Sequence, residues 1–165
     1  MAKALVKFAT MLVTVAIIPF TVTSTFAQSK VSCMVVTFSN ATKNKNIGAT
    51  VGQTVSSKLS ASPSYKCKFD AGHSYDNLPA ALEAAKNKGA DILVTGVVTT
   101  SKAMGASAAI TFDADVRFVS DGAIILDKTY SASDASVNKA LNKAVSMLVK
   151  DMESTKGYIL KVISK

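Results

Sequence analysis

Apolar and polar positions change period several times along the chain, and each change predicts an element. Val31, Met34, Val35, Val36 and Phe38 make a mixed apolar run over 31–38, the pattern of a strand covered on both faces. A polar loop over 39–46 follows. Ile47, Val51, Val55 and Leu59 then recur every fourth residue and predict a helix over 47–60, with Asn46 as its cap and Pro63 past its end. Tyr65, Cys67 and Phe69 alternate with Lys66 and Lys68, which predicts a short second strand over 65–69. A loop with Gly72 and His73 leads to a second helix over 78–88, capped by Asn77, with Pro79 in its first turn and Gly89 closing it. Leu78, Ala81, Leu82 and Ala85 form its inward stripe. Residues 91–99 read as a buried strand.

Beyond residue 107 the period drops to a strict two. Ala108, Ile110, Phe112, Ala114, Val116 and Phe118 alternate with Ala109, Thr111, Asp113, Asp115 and Arg117, giving one dry and one wet face. Ser120-Asp121-Gly122 signals a hairpin, and 123–131 returns as the partner strand. Two registers compete: a two-residue Asp121-Gly122 loop would pair Asp115 with Lys128 but set Phe118 opposite Ile125 and Val116 opposite Asp127. A three-residue loop sets Phe118 against Ile124, Val116 against Leu126 and Phe112 against Tyr130, at the cost of Asp115 facing Asp127. Register follows the apolar face, so this arrangement is expected, with Gly122 left-handed and the wet face solvated. Ser133 caps a last helix to about residue 155, with Val137, Leu141, Val145, Leu148 and Met152 inward. Gly157 is expected to break it and 158–163 to add a closing strand. The order β-α-β-α-β-β-β-α-(β) predicts an α/β (α+β) fold with one mixed sheet, parallel early and antiparallel late, and helices packed against it.

The first 27 residues follow a different logic. Lys3 and Lys7 precede an apolar run over 8–20, Pro19 interrupts it, and Thr25-Phe26-Ala27 places small residues where a signal peptidase reads. Residues 1–27 are therefore expected to be a cleaved secretory signal peptide, leaving 28–165 as one periplasmic α/β domain that starts at Gln28. The apolar run is short for a spanning helix, so no stable membrane insertion is expected after cleavage. Lys30, three places before Cys33, does not suit a lipoprotein signal.

Export changes what charge and cysteine imply. The whole chain carries +8, and removing Lys3 and Lys7 leaves +6 over 138 residues. The lysines are scattered and not interleaved with aromatic residues, which argues for a solvated basic surface and against a nucleic-acid partner. Cys33 and Cys67 are the two cysteines, and in an oxidising compartment such a pair forms a disulfide. Each falls in a predicted strand, with one helix between, so neighbouring strands would bring them within bonding span.

Catalytic chemistry finds little support. His73, the sole histidine, lies in a loop among Gly72, Ser74 and Tyr75; it could act as a base, but a solvated loop histidine is the expected reading. Asp113 and Asp115, about 7 Å apart on one strand face, could serve acid-base work or a weak cation site, but Arg117 beside them favours a plain polar face. Two cysteines and one distant histidine are too few for a structural zinc site. The glycines fit neither a P-loop nor a dinucleotide fingerprint. Asn40-Ala41-Thr42 matches a glycan acceptor, a short pattern common by chance. We therefore expect no catalytic residues, no cofactor and no metal.

Two segments carry a resemblance. "VVTFSNATKNKNIGATVGQTVSSKL" and "ALEAAKNKGADILVTGVVTT" resemble the strand–loop–helix and helix–Gly-Ala-Asp–strand patterns of a bacterial envelope superfamily that includes the curli secretion channel CsgG, the penicillin-binding-protein activator LpoB and the amino-terminal domain of TolB. The matching positions are Phe38, Asn40, Gly48, Gly89, Ala90, Asp91 and Gly96. The resemblance implies a periplasmic, non-enzymatic α/β domain that binds envelope proteins or further copies of itself. The alternative is a binder of a small ligand or an envelope polymer, using loops at the end of the sheet.

Overall fold

The computed structural model describes residues 30–165, so the expected signal peptide and its cleavage point lie outside the described residues. The elements are β1 (Val31–Thr37), β2 (Ser39–Asn40), α1 (Ile47–Ala61), β3 (Tyr65–Ser74), a 3-10 turn (Tyr75–Asn77), α2 (Leu78–Asn87), β4 (Ile92–Met104), β5 (Ser107–Phe118), β6 (Ile124–Asp134) and α3 (Val137–Ile163). They form one sheet in the order β3-β1-β4-β5-β6, with short β2 also paired to β4. β1 pairs parallel with β3 and β4, while β4-β5 and β5-β6 are antiparallel. This is the mixed sheet that the two early crossovers and the late hairpin predict.

α1 and α3 cover one face. Val51, Val55 and Leu59 of α1 and Ala144, Val145 and Leu148 of α3 meet Val35, Val94, Phe112 and Val116 in one fully buried cluster. Phe112 sits edge-on to Phe38 and tilted against Tyr130, with ring centroids 5.7 and 5.6 Å apart. Two tyrosines tie α3 to the sheet. The Tyr65 hydroxyl donates to the Met152 carbonyl at 2.6 Å, and the Tyr130 hydroxyl donates to Asp151 Oδ2 at 2.9 Å. Burial pushes both phenols well above their ordinary pKa, with the charges of Glu153 and Asp151 respectively acting the same way.

Among the described residues, α2 alone covers the other face. Ala81 and Ala85 pack on Met34, Val36 and Leu93, with Val119 closing the cluster. The Asn77 side chain accepts from the Ala80 amide, and Gly89, at φ +66°, ends the helix in the left-handed region.

Several expected boundaries move. β3 runs through Gly72 and His73, which the polar pattern places in a loop, because its pairing with β1 resumes at Ser74 after a bulge. β4 and β5 extend to a long hairpin turning at Gly105 (φ +58°), past the expected end at residue 99. At the start of α1, Asn46 makes no side-chain cap bond, and at the start of α3 the cap is Ser136 rather than Ser133, accepting from the Lys139 amide. α3 continues unbroken through Gly157, so the expected closing strand over 158–163 is helix. The apolar stripe explains this: Ile159 extends the Leu148–Met152 series and is fully buried. A helical glycine costs only about 1 kcal/mol, less than burying such a side chain returns.

The β5-β6 register places Asp115 opposite Asp127, Val116 opposite Leu126 and Phe112 opposite Tyr130, as the apolar face predicts. Near the turn the pattern differs. A bulge after Val116 puts Arg117, not Phe118, opposite Ile124, and the Phe118 amide bonds the Ala123 carbonyl. Gly122 takes φ +73° within the connection over 119–123, which is longer than the expected three-residue loop.

Candidate functional site

The residues of the family resemblance are mostly internal supports. An added Cβ at Gly48 would lie 1.9 Å from the Phe38 carbonyl oxygen, and one at Gly96 would lie 1.9 Å from the Asp113 carbonyl oxygen and 2.6 Å from the Phe38 ring. The two glycines thus let Phe38 wedge between β4 and α1. Asn40 Oδ1 accepts from the Thr42 amide (2.8 Å) and hydroxyl (2.7 Å), fixing the loop before α1. Gly89 turns the chain, and the Ala90 amide bonds back to Ala85. Asp91 Oδ2 accepts from the Ser32 amide at 2.7 Å, while its backbone joins β1 to the end of the β5-β6 hairpin at Val119. Each role positions backbone, and none presents a reactive group.

Cys33 and Cys67 are register partners on β1 and β3, 4.4 Å apart at Cα, and are joined as a disulfide. Cys33 lies buried inside a strand.

The face that carries α2 is divided by charge. The helix has only 10 residues and packs over β3, β1 and β4, leaving β5 and β6 uncovered on this face among the described residues. On the β3 side, Lys66 and Lys68 project from the sheet edge and join Lys88, Gly89 and Ala90 around a cleft of about 220 Å³. Asp70, further along β3, pairs with Lys88 and lies 3.2 Å from His73 Nδ1. The Lys88 hydrogen bond is the main cause holding the Asp70 carboxyl below its ordinary pKa, with the Gly72 amide and His73 adding to it. His73 thus sits beside Asp70 in a surface polar cluster.

On the β5-β6 side the charge reverses. Asp113, Asp115 and Asp127 line a second cleft of about 210 Å³, overhung by Tyr75 from the 3-10 turn and floored by Val97. Asp113 Oδ1 accepts from the Thr129 hydroxyl at 2.5 Å. Arg117 clamps one oxygen of Asp115, with Nε and Nη2 at 2.9 and 2.8 Å from Oδ2, and its Nη1 donates to the Gly122 carbonyl. The other oxygen, Asp115 Oδ1, is buried without a partner, as is the hydroxyl of Thr95, its register partner on β4.

This corrects the expectation of a solvated wet face. Asp113 is half-buried and Asp127 exposed, but Asp115 is only 6% exposed. Alternation alone cannot reveal that Arg117 and the overhanging turn cover one member of the strip. Thr95, a hydroxyl inside the apolar run 92–98, is the signal in the sequence that marks a buried polar position there. Three carboxylates against one guanidinium leave a net negative cleft that suits a cationic group. Among the described residues no group of three His, Cys, Asp or Glu is arranged to hold a metal ion, and no helix is long and apolar enough to cross a membrane.

No protein-family model matches the chain, and no curated protein does. Solved structures do. The PelC dodecamer from Paraburkholderia phytofirmans aligns at TM-score 0.62 and 16% identity, over 74% of this chain and 86% of that one. Lipoprotein GNA1162 from Neisseria meningitidis aligns at 0.52 and 15%, over 75% and 99%. The chain shares its fold with these two. The LpoB C-terminal domain from Escherichia coli aligns at 0.48 and 16% identity, over 62% of this chain and 83% of that one, and TolB from Acinetobacter baumannii at 0.49 and 13%, over 79% and 29%.

Proposed function

We propose that the chain is an exported, non-enzymatic accessory protein of the bacterial envelope, and that residues 28–165 act in the periplasm as a protein-binding or assembly module. The observation that carries this reading is the charge-divided face, with lysines along the β3 edge, carboxylates over β5 and β6, and no catalytic grouping upon it among the described residues. The two charged clefts, of about 220 and 210 Å³, are each smaller than the roughly 300–1,000 Å³ typical of small-molecule sites, so neither charged margin has the size of a ligand pocket. A lipoprotein and a dodecamer with this fold support the same setting and make further copies of the chain a reasonable partner.

The test is recovery of the tagged chain from cells that export it. Amino-terminal sequencing is expected to find Gln28, fractionation to find the periplasm, and native mass spectrometry to find the chain bound to an envelope protein or to itself. A start at Met1, a lipid on Cys33, or a co-purified small molecule with no protein partner would overturn the reading.

A further inference from the structure

The two charged margins lie on one face of one sheet but at opposite edges. β3 and β6 are the end strands, separated by β1, β4 and β5, so at about 4.8 Å per strand they stand roughly 19 Å apart. That exceeds the Debye length of about 8 Å at physiological salt, and α2 stands between them. The acidic strip and the lysines therefore cannot neutralise each other within one molecule.

The strand directions settle how two molecules could do so. β3 and β4 both run parallel to β1, and β6 runs parallel to β4 because β5 is antiparallel to both. The two edges thus point the same way. Setting β3 of one copy beside β6 of another, with the same face up, continues the sheet in parallel. Lys68 lies in the row of Met34, Leu93 and Arg117, which meets β6 at Ile124, so the two copies must be offset along the strand by about two residues to set Lys68 beside Asp127; a lysine stem is then long enough to cross one strand spacing towards Asp115. Lys66, Lys68 and Asp127 are exposed, and Asp115 Oδ1 is a buried acceptor with no partner, lining the cleft that a lysine would enter.

We propose that this chain associates head to tail with further copies of itself, the Asp113–Asp115–Asp127 strip of one copy receiving Lys66 and Lys68 on the β3 edge of the next. The proposal rests on the protein-binding reading above and names its partner. The same contact repeats at both ends of every copy, so it is heterologous and yields rings or filaments rather than a closed dimer. Charge complementarity across the contact makes it salt-sensitive.

Sedimentation velocity on the protein recovered after export tests it. Species larger than a dimer are expected at low salt, dissociating as salt rises well above the physiological range, where the Debye length shrinks towards about 3 Å. Asp127→Lys alone and Lys68→Glu alone are each expected to weaken association about tenfold or more, with unchanged circular dichroism because both positions are exposed. An equimolar mixture of the two variants is expected to regain association, since contacts between unlike variants then join unlike charges. Assembly that stops at a dimer, a monomer at every salt concentration, or failure of the mixture to recover would overturn the proposal. Those results would leave the protein-binding reading standing if the monomer still co-purified with an envelope protein, and that reading falls separately if only a small molecule is found.

Discussion

Strand β5 serves two different regions at once. Towards α1 and α3 it turns Ile110, Phe112, Ala114, Val116 and Phe118, none more than 2% exposed. Towards the other face it turns Thr111, Asp113, Asp115 and Arg117, where no helix lies over β5 or β6 among the described residues. The first region is closed by 26 buried side chains in one cluster, the second face by six around α2. That imbalance assigns stability to one side and leaves the other free to carry charge. A buried carboxylate with an unused oxygen is tolerated at Asp115 because the opposite face of the same strand holds the fold.

The comparison breaks most sharply at Phe112. Phe112→Ala removes a ring that touches both Phe38 and Tyr130, and denaturant unfolding is expected to show a loss of about 3–5 kcal/mol. A loss below about 1 kcal/mol, well under the usual range for such a truncation, would mean that the α1/α3 face is not the main core.

The disulfide comes next. It closes a loop with a sequence separation of 34, worth about 3–4 kcal/mol in the chain-entropy model. Replacing Cys33 and Cys67 together by Ser is expected to lower the unfolding midpoint by a corresponding amount, and a reductant to do the same to the wild type. An unchanged midpoint under reductant would show that the bond does not form in the exported protein.

On the charged face, Arg117→Met is expected to cost about 2–3 kcal/mol, because it leaves the Asp115 carboxylate buried without its clamp. Arg117→Met combined with Asp115→Leu is expected to recover most of that, since an apolar pair in the same place requires no counter-charge. Equal losses in the single and double variants would refute the argument.

The smallest effect is with acid. The Asp70 carboxyl is lowered in the folded state, mainly by Lys88. Its contribution is therefore complete above the unfolded value of about 3.9 and is lost as pH falls below that through the folded value. Asp70→Asn is expected to flatten the pH dependence of the unfolding midpoint below about pH 4 and to leave its slope at neutral pH unchanged. An unchanged pH dependence below about pH 4 would show that Lys88 does not hold the Asp70 carboxyl down in the folded state.

How much of this the chain reveals on its own depends on period. The four-residue spacing of Ile47, Val51, Val55 and Leu59 and the two-residue spacing from Ala108 to Phe118 each name an element, its buried face and, for the body of the hairpin, its register. Where a signal is a single residue, context overrides it. Gly157 reads as a stop, yet Ile159 keeps α3 going because its buried side chain outweighs one glycine. Asp115 reads as solvated, yet Arg117 from its own strand and Tyr75 from a distant turn close over it.

The sequence by itself determined the run of strands and helices as far as α3, the mixed sheet, the apolar face of each helix and the pairing of Val116 with Leu126, because these follow from side-chain periodicity along a short stretch. Only the tertiary structure decided that Lys66 and Lys68 lie at one edge of the sheet and Asp127 at the other, on a shared face. The reason is that strand order depends on crossovers: β1 sits between β3 and β4, so residues distant along the chain are ranked across the sheet by topology, which no local period records.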